Sequence, residues 1–171
     1  MRQASSDTEW PEGAATRPSL LVVGIGNLLM RDDGVGIHVI ERLKQLQLPP
    51  QVELIDGGTH TYDLVDIFCQ ADDLIVVDAL RAGGEPGTIY RAPLEELGLR
   101  PEENLVSLHQ MSFVEAINLV HMLGHYPRVV VFGIEPKEVA LSLELSAEVA
   151  GKIPRVVELV QQEIHRILQT E

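Results

Sequence analysis

Several acids in this chain stand where short apolar runs end. Asp33 follows the glycine turn in "LLVVGIGNLLMRDDGVG", Asp56 ends "VELIDGG", Asp78 ends "LIVVDAL" and Glu135 ends "VVVFGIEP". If those runs are parallel strands of an open sheet, the acids gather along one edge. Ligands of such sheets bind in the crevice beyond the strands' carboxyl ends, near a switch in strand order. Grouped carboxylates repel, so either a cation joins them or one of them keeps its proton. The candidates are a metal ion, a cationic substrate, or an acid pair sharing a proton. Carboxylates alone suit magnesium or calcium. An added imidazole shifts the preference to a first-row transition metal.

His109, in "SLHQ", is the best source of that imidazole. Ser107 as N-cap and Gln110 three residues on read as a capping box, which puts His109 in the first helical turn. The helix dipole there disfavours imidazolium and leaves a neutral ring able to ligate. The other histidines are weaker: His38, His121 and His165 fall inside helical patterns, His125 in a turn, and His60 after "DGGT". Plainer roles exist for each residue. Asp32 or Asp33 can cap the helix beginning near Gly34, with Asp32 the expected cap. Asp56 before Gly57 and Gly58 suits an Asx-turn, Glu135 before a proline reads as structural, Cys69 as core, and His109 taken alone as a satisfied surface histidine. Asp78 is harder to dismiss, because an acid ending a buried strand is costly without a partner.

These residues need a scaffold. β-Branched runs alternating with helical patterns predict an α/β domain, a three-layer sandwich whose twisted, mostly parallel five-stranded sheet has helices on both faces. The predicted strands are Leu20–Val23, Val52–Ile55, Leu74–Val77, Thr88–Arg91 and Val129–Gly133. Most lack polar alternation, as strands covered on both faces do. Thr88–Arg91 is shorter and more polar, which places it at an edge, where an antiparallel orientation is open to it. Helices are expected over Val35–Leu46, over Tyr62–Cys69, from Ser107 to near Gly124, and over Ala147–Leu168, with Pro154 kinking or splitting the last. Its stripe Val149, Ile153, Val156, Val160, Ile164 and Ile167 predicts core packing.

A chain of 171 residues suits one domain; residues 19–171 are read as that domain and 1–18 as a mobile polar tail. The net charge of −13 argues against a nucleic-acid or anionic-membrane partner. The single cysteine excludes an internal disulfide and fits a reducing compartment. No apolar run approaches the roughly 18 residues of a membrane span, and the expected location is the cytoplasm. A dinucleotide fingerprint fails: "GIGNLL" places Leu29 where the third glycine belongs, and the acids behind it repel phosphate. Phosphate-loop, serine-hydrolase and zincin motifs are also absent.

Together, "GIGNLLMRDDGVG", "DGGT", "LIVVDAL" and "SLHQ", in that order and spacing, resemble the NiFe-hydrogenase maturation proteases. The similarity runs from about Leu20 to the last helix. These endopeptidases trim the C-terminus of the hydrogenase large-subunit precursor. The resemblance implies a nickel site built from Asp33, Asp78 and His109, the first ligand being Glu in some members and Asp in others. It implies that Asp33 and Asp78 serve catalysis, that Asp56, Gly57 and Gly58 form a substrate-binding turn, and that Gly24 and Gly26 clear room for another protein's chain. Nickel would come with the precursor rather than be held permanently, and a monomer is the expected state. The alternatives are a metal-independent acid-pair protease of the same fold, a non-catalytic nickel-dependent chaperone of the large subunit, and a small-molecule hydrolase using magnesium or manganese.

Overall fold

The structure, a computed structural model, describes residues 19–97 and 108–170, with side chains from Phe113 onward in the second stretch. The N-terminal tail and the capping box at Ser107 lie outside the described residues. The strands are β1 (Leu20–Ile25), β2 (Val52–Gly58), β3 (Asp73–Ala79), β4 (Ile89–Pro93) and β5 (Arg128–Ile134). The helices are α1 (Val35–Leu43), α2 (Val65–Phe68), α3 (Leu108–Met122), α4 (Ala147–Ala150) and α5 (Ile153–Leu168).

The strands form one sheet in the order β2-β1-β3-β5-β4. β1 is parallel to β2 and β3, and β3 to β5, while β4 runs antiparallel to β5 at the edge. The chain moves from β1 to β2 on one side and then crosses to β3 on the other. The strand order therefore reverses between β1 and β3.

Alternate residues of the central strands feed two cores. Leu20, Val22, Ile75, Val77 and Phe132 pack under α1, α4 and α5, together with the whole expected stripe from Val149 to Ile167. Leu21, Val23, Leu74, Val76 and Val131 pack under α2 and α3, where Phe68 and Phe113 meet edge to face at 5.9 Å. Burying each such aliphatic side chain contributes about 1.5–3 kcal/mol. This is the three-layer sandwich expected from the sequence.

The differences are local. α1 stops at Leu43, and a 3-10 turn over Thr61–Leu64 precedes the short α2. The last helical stretch breaks at Gly151 and Lys152, leaving Pro154 in the first turn of α5, where its missing N–H is no loss. β2 is half exposed, with Glu53 and Asp56 facing solvent and Ile55 and Gly57 buried, because it forms the other edge. Among the described residues no helix is long and apolar enough to cross a membrane.

Candidate active site

The glycine turn after β1 is filled by the chain itself. A Cβ on Gly24 would lie 2.4 Å from the Gly36 carbonyl oxygen, and one on Gly36 would lie 2.1 Å from that of Val77. The first turn of α1 thus rests directly on the backbones of β1 and β3. Gly26 has φ +138, and a Cβ there would meet the Asp33 carbonyl oxygen at 2.0 Å. The expectation that Gly24 and Gly26 make room for another protein's chain is therefore corrected. They let residues 33–36 fold back against β1, and so set the position of Asp33.

Asp33 and Asp78 are both buried, at 3% and 5% exposure. Asp33 Oδ2 accepts the Asn27 N–H at 3.1 Å, and Asp78 Oδ1 accepts the Ala79 N–H at 2.8 Å. Gly24 is in register with Val77, so Asp78 comes one residue beyond that pair, at the carboxyl end of the strand beside β1. The two acids thus belong to the carboxyl ends of neighbouring parallel strands, at the switch in strand order. Asp78 lines a small cavity of ≈ 20 Å³ with Ile25, Leu80, Leu94, Leu97 and Phe113 among others. Position 109 is in the first turn of α3, one helical turn ahead of Phe113. The side chain of His109 lies outside the described residues. Among the described residues, no group of three or more His, Cys, Asp or Glu is gathered as a metal-binding set.

Asp32 has a different task from the helix cap expected of it. α1 begins after Gly34 with no side-chain cap bond. Asp32, fully buried with φ 63, turns its carboxylate to the segment after β5. There it accepts the N–H groups of Lys137, Glu138 and Ser146 at 2.9, 3.2 and 2.8 Å, and the Ser146 hydroxyl at 2.9 Å. Aspartate is among the few residues that tolerate this left-handed conformation. Ser146 is itself the N-cap of α4. Sequence reading had no signal for this hub, since its partners are over a hundred residues away.

Asp56 forms the Asx-turn: its Oδ1 accepts the Gly58 N–H at 3.0 Å, and Gly58 takes φ +51. The Gly58 carbonyl accepts the Gly26 N–H at 3.0 Å, tying this turn to the glycine turn of β1. Glu135 is structural, as expected. Buried, it accepts the Ala82 N–H at 2.7 Å and the Tyr90 hydroxyl at 2.9 Å, so it holds the loop leaving Asp78. Tyr90, which sequence reading missed, has its hydroxyl pushed up by burial and by its bond to Glu135. Cys69 packs beside the second core, and burial raises its thiol, which suits no nucleophile.

Comparison with known proteins assigns the chain. A family model for the hydrogenase maturation proteases matches residues 37–163. The chain belongs to that family. This hydrogenase maturation protease is 37% identical over 156 residues to the hydrogenase expression/formation protein HupD of Rhizobium leguminosarum, covering 87% of this chain and 75% of HupD. To the Hydrogenase 2 maturation protease of Escherichia coli it is 30% identical over 150 residues, covering 82% of this chain and 87% of that one. Its fold superposes on the hydrogenase maturating endopeptidase HybD from E. coli with a TM-score of 0.79 at 29% identity, over 86% of this chain and 92% of that chain. The protease is accordingly a peptidase.

Proposed function

We propose that this protease removes the C-terminal extension of a NiFe-hydrogenase large-subunit precursor after nickel insertion, in the cytoplasm. Asp33, Asp78 and His109 meet the nickel that the precursor carries. One observation carries this reading: two buried carboxylates stand at the carboxyl ends of adjacent parallel strands where strand order reverses. Two carboxylates and an imidazole are an incomplete oxygen-and-nitrogen set suited to a first-row transition ion shared with another protein. That α3 brings Phe113, one turn beyond position 109, to the cavity lined by Asp78 supports the inclusion of His109.

The nickel of the substrate supplies Lewis-acid polarisation at the scissile carbonyl. Asp33 and Asp78 fix where the carbonyl sits and are the bases at hand for the attacking water. Water adds to the carbonyl carbon, the C–N bond breaks, and the proton passes to the leaving amine. Asp56, Gly57 and Gly58, beside β1 at the same edge, offer a turn for contact with the precursor chain.

Incubation with nickel-loaded and nickel-free precursor tests the reading. A C-terminal fragment should be released from the loaded precursor only. Equal cleavage of both sinks nickel sensing, and association without cleavage makes the protein a chaperone. Full activity in chelator with an acidic pH profile makes Asp33 and Asp78 a metal-independent acid pair.

A further inference from the structure

The loops leaving β1 and β5 join in a short ribbon beside Asp33. Met30 and Leu141 form an antiparallel bridge, with the Arg31 N–H donating to the Ala140 carbonyl at 2.7 Å and the Ser142 N–H to the Leu29 carbonyl at 3.0 Å. Alternate residues of such a ladder turn their main-chain polar groups inward and outward. Leu141 is the outward one, and among the described residues its N–H and carbonyl take no hydrogen bond. The side chains around this open edge are apolar and exposed: Leu141 by 84%, Leu143 by 67% and Leu29 by 58%.

The edge is held in place rather than loose. Asp32 fixes its base through Lys137, Glu138 and Ser146. The Arg31 guanidinium donates to the Glu144 carbonyl at 3.0 Å, to Glu138 Oε1 at 2.9 Å and to Ser142 Oγ at 3.3 Å. An anchored, extended edge with an open main chain and apolar side chains, here built around one β-bridge, is a template for strand addition by another chain.

We propose that Val139–Leu143 is the docking edge for an extended, apolar segment of the large-subunit precursor, which adds as a strand beside the acids. The inference rests on the function proposed above and names where that substrate is gripped. Met30 is three residues from Asp33 along a turn, so at most about 10 Å away, and a few residues of substrate reach from the docked strand to the site. A second copy of this chain is the poorer occupant, because it would set its own Glu138 and Glu144 against these.

The test compares full-length wild type with Leu141→Asp, Leu141→Asp/Leu143→Asp and Leu141→Pro, which removes the outward N–H. Binding of intact precursor and the cleavage constants are both measured, with Tm and oligomeric state as controls. The aspartate variants should weaken binding and raise KM about 10-fold or more, equivalent to about 1.4 kcal/mol. Their kcat should stay within about two-fold, since no reacting group is touched. The aspartate variants alone decide if the proline variant lowers Tm. Unchanged binding and KM overturn the docking edge while leaving the protease reading intact. So does a loss confined to kcat, or a wild-type dimer that Leu141→Asp dissociates with KM unchanged. Absence of precursor binding by wild type overturns it as well. Weakened binding in the variants, with no cleavage by wild type, keeps the edge and removes the protease reading.

Discussion

Two regions bury acids to a similar degree and treat them differently. Where α5 crosses β4, and at the amino ends of β3 and β5, the partners are arginines. Glu163 receives both Nε and Nη2 of Arg91 at 2.9 Å and Nε of Arg166 at 3.2 Å, and Asp73 receives Arg128 at 2.7 Å. At the carboxyl edge, Asp32 and Glu135 are met by main-chain N–H groups and hydroxyls. Asp33 and Asp78 each accept a main-chain N–H as well. A guanidinium satisfies a carboxylate and cancels its charge. Amides and hydroxyls satisfy Asp32 and Glu135 without a guanidinium, and tie main-chain segments of the carboxyl-edge loops to them. The first arrangement joins elements through side-chain ion pairs, and the second holds the loops around the candidate site through their main chain.

The contrast breaks most visibly at Asp78. Asp78→Asn keeps shape and removes charge, and kcat/KM on nickel-loaded precursor should fall about 10²–10⁴-fold with Tm little changed. A lowered Tm with retained cleavage would move Asp78 into the structural group. Asp32→Ala strands the Lys137, Glu138 and Ser146 amides, at a cost of about 2–4 kcal/mol. In a chain of this length that lowers Tm by about 5–15 °C by calorimetry.

Glu163→Gln tests the other region, at about 1–3 kcal/mol given the partly exposed arginines. Burial pushes the Glu163 carboxyl up, but the hydrogen bonds and charges of Arg91 and Arg166 outweigh it and hold the group below its ordinary 4.5. A depressed carboxyl stabilises the fold above that value and loses the contribution as pH falls through the lower folded value. Thermal melts should therefore separate wild type from Glu163→Gln at neutral pH and converge on acidification below about pH 4.5. The smallest effect, about 1 kcal/mol by denaturant titration, is expected of Tyr90→Phe, which takes one donor from Glu135.

The layers were legible because strand and core-helix patterning is local. The runs from Leu20, Val52, Leu74, Thr88 and Val129 all became strands, and the α5 stripe is buried entire. Asp78 stood out because its strand has no polar alternation to excuse an acid, and Glu135 read correctly as structural. Helix ends blurred, since Leu46 continued the periodicity of α1 after its i→i−4 bonds had given way to the i→i−3 bonds of Gln45 and Leu46. The chemistry of the glycine turn was misread for a different reason. What Gly24 and Gly26 make room for depends on how α1 docks, and no local pattern encodes that. Asp32 was misread in the same way, as its partners come from the far side of β5.

That last dependence has a consequence for the protein's own synthesis. Asp32 and its neighbour Asp33 leave the ribosome more than a hundred residues ahead of residues 137–146, whose groups secure Asp32. Until α4 begins to form, the loop bearing the acids has no anchor on that side. The loop that carries Asp32 and Asp33 is thus fixed on that side only once residues 137–146 are available. A half-made chain ending before them would display the proposed nickel-facing acid without that support.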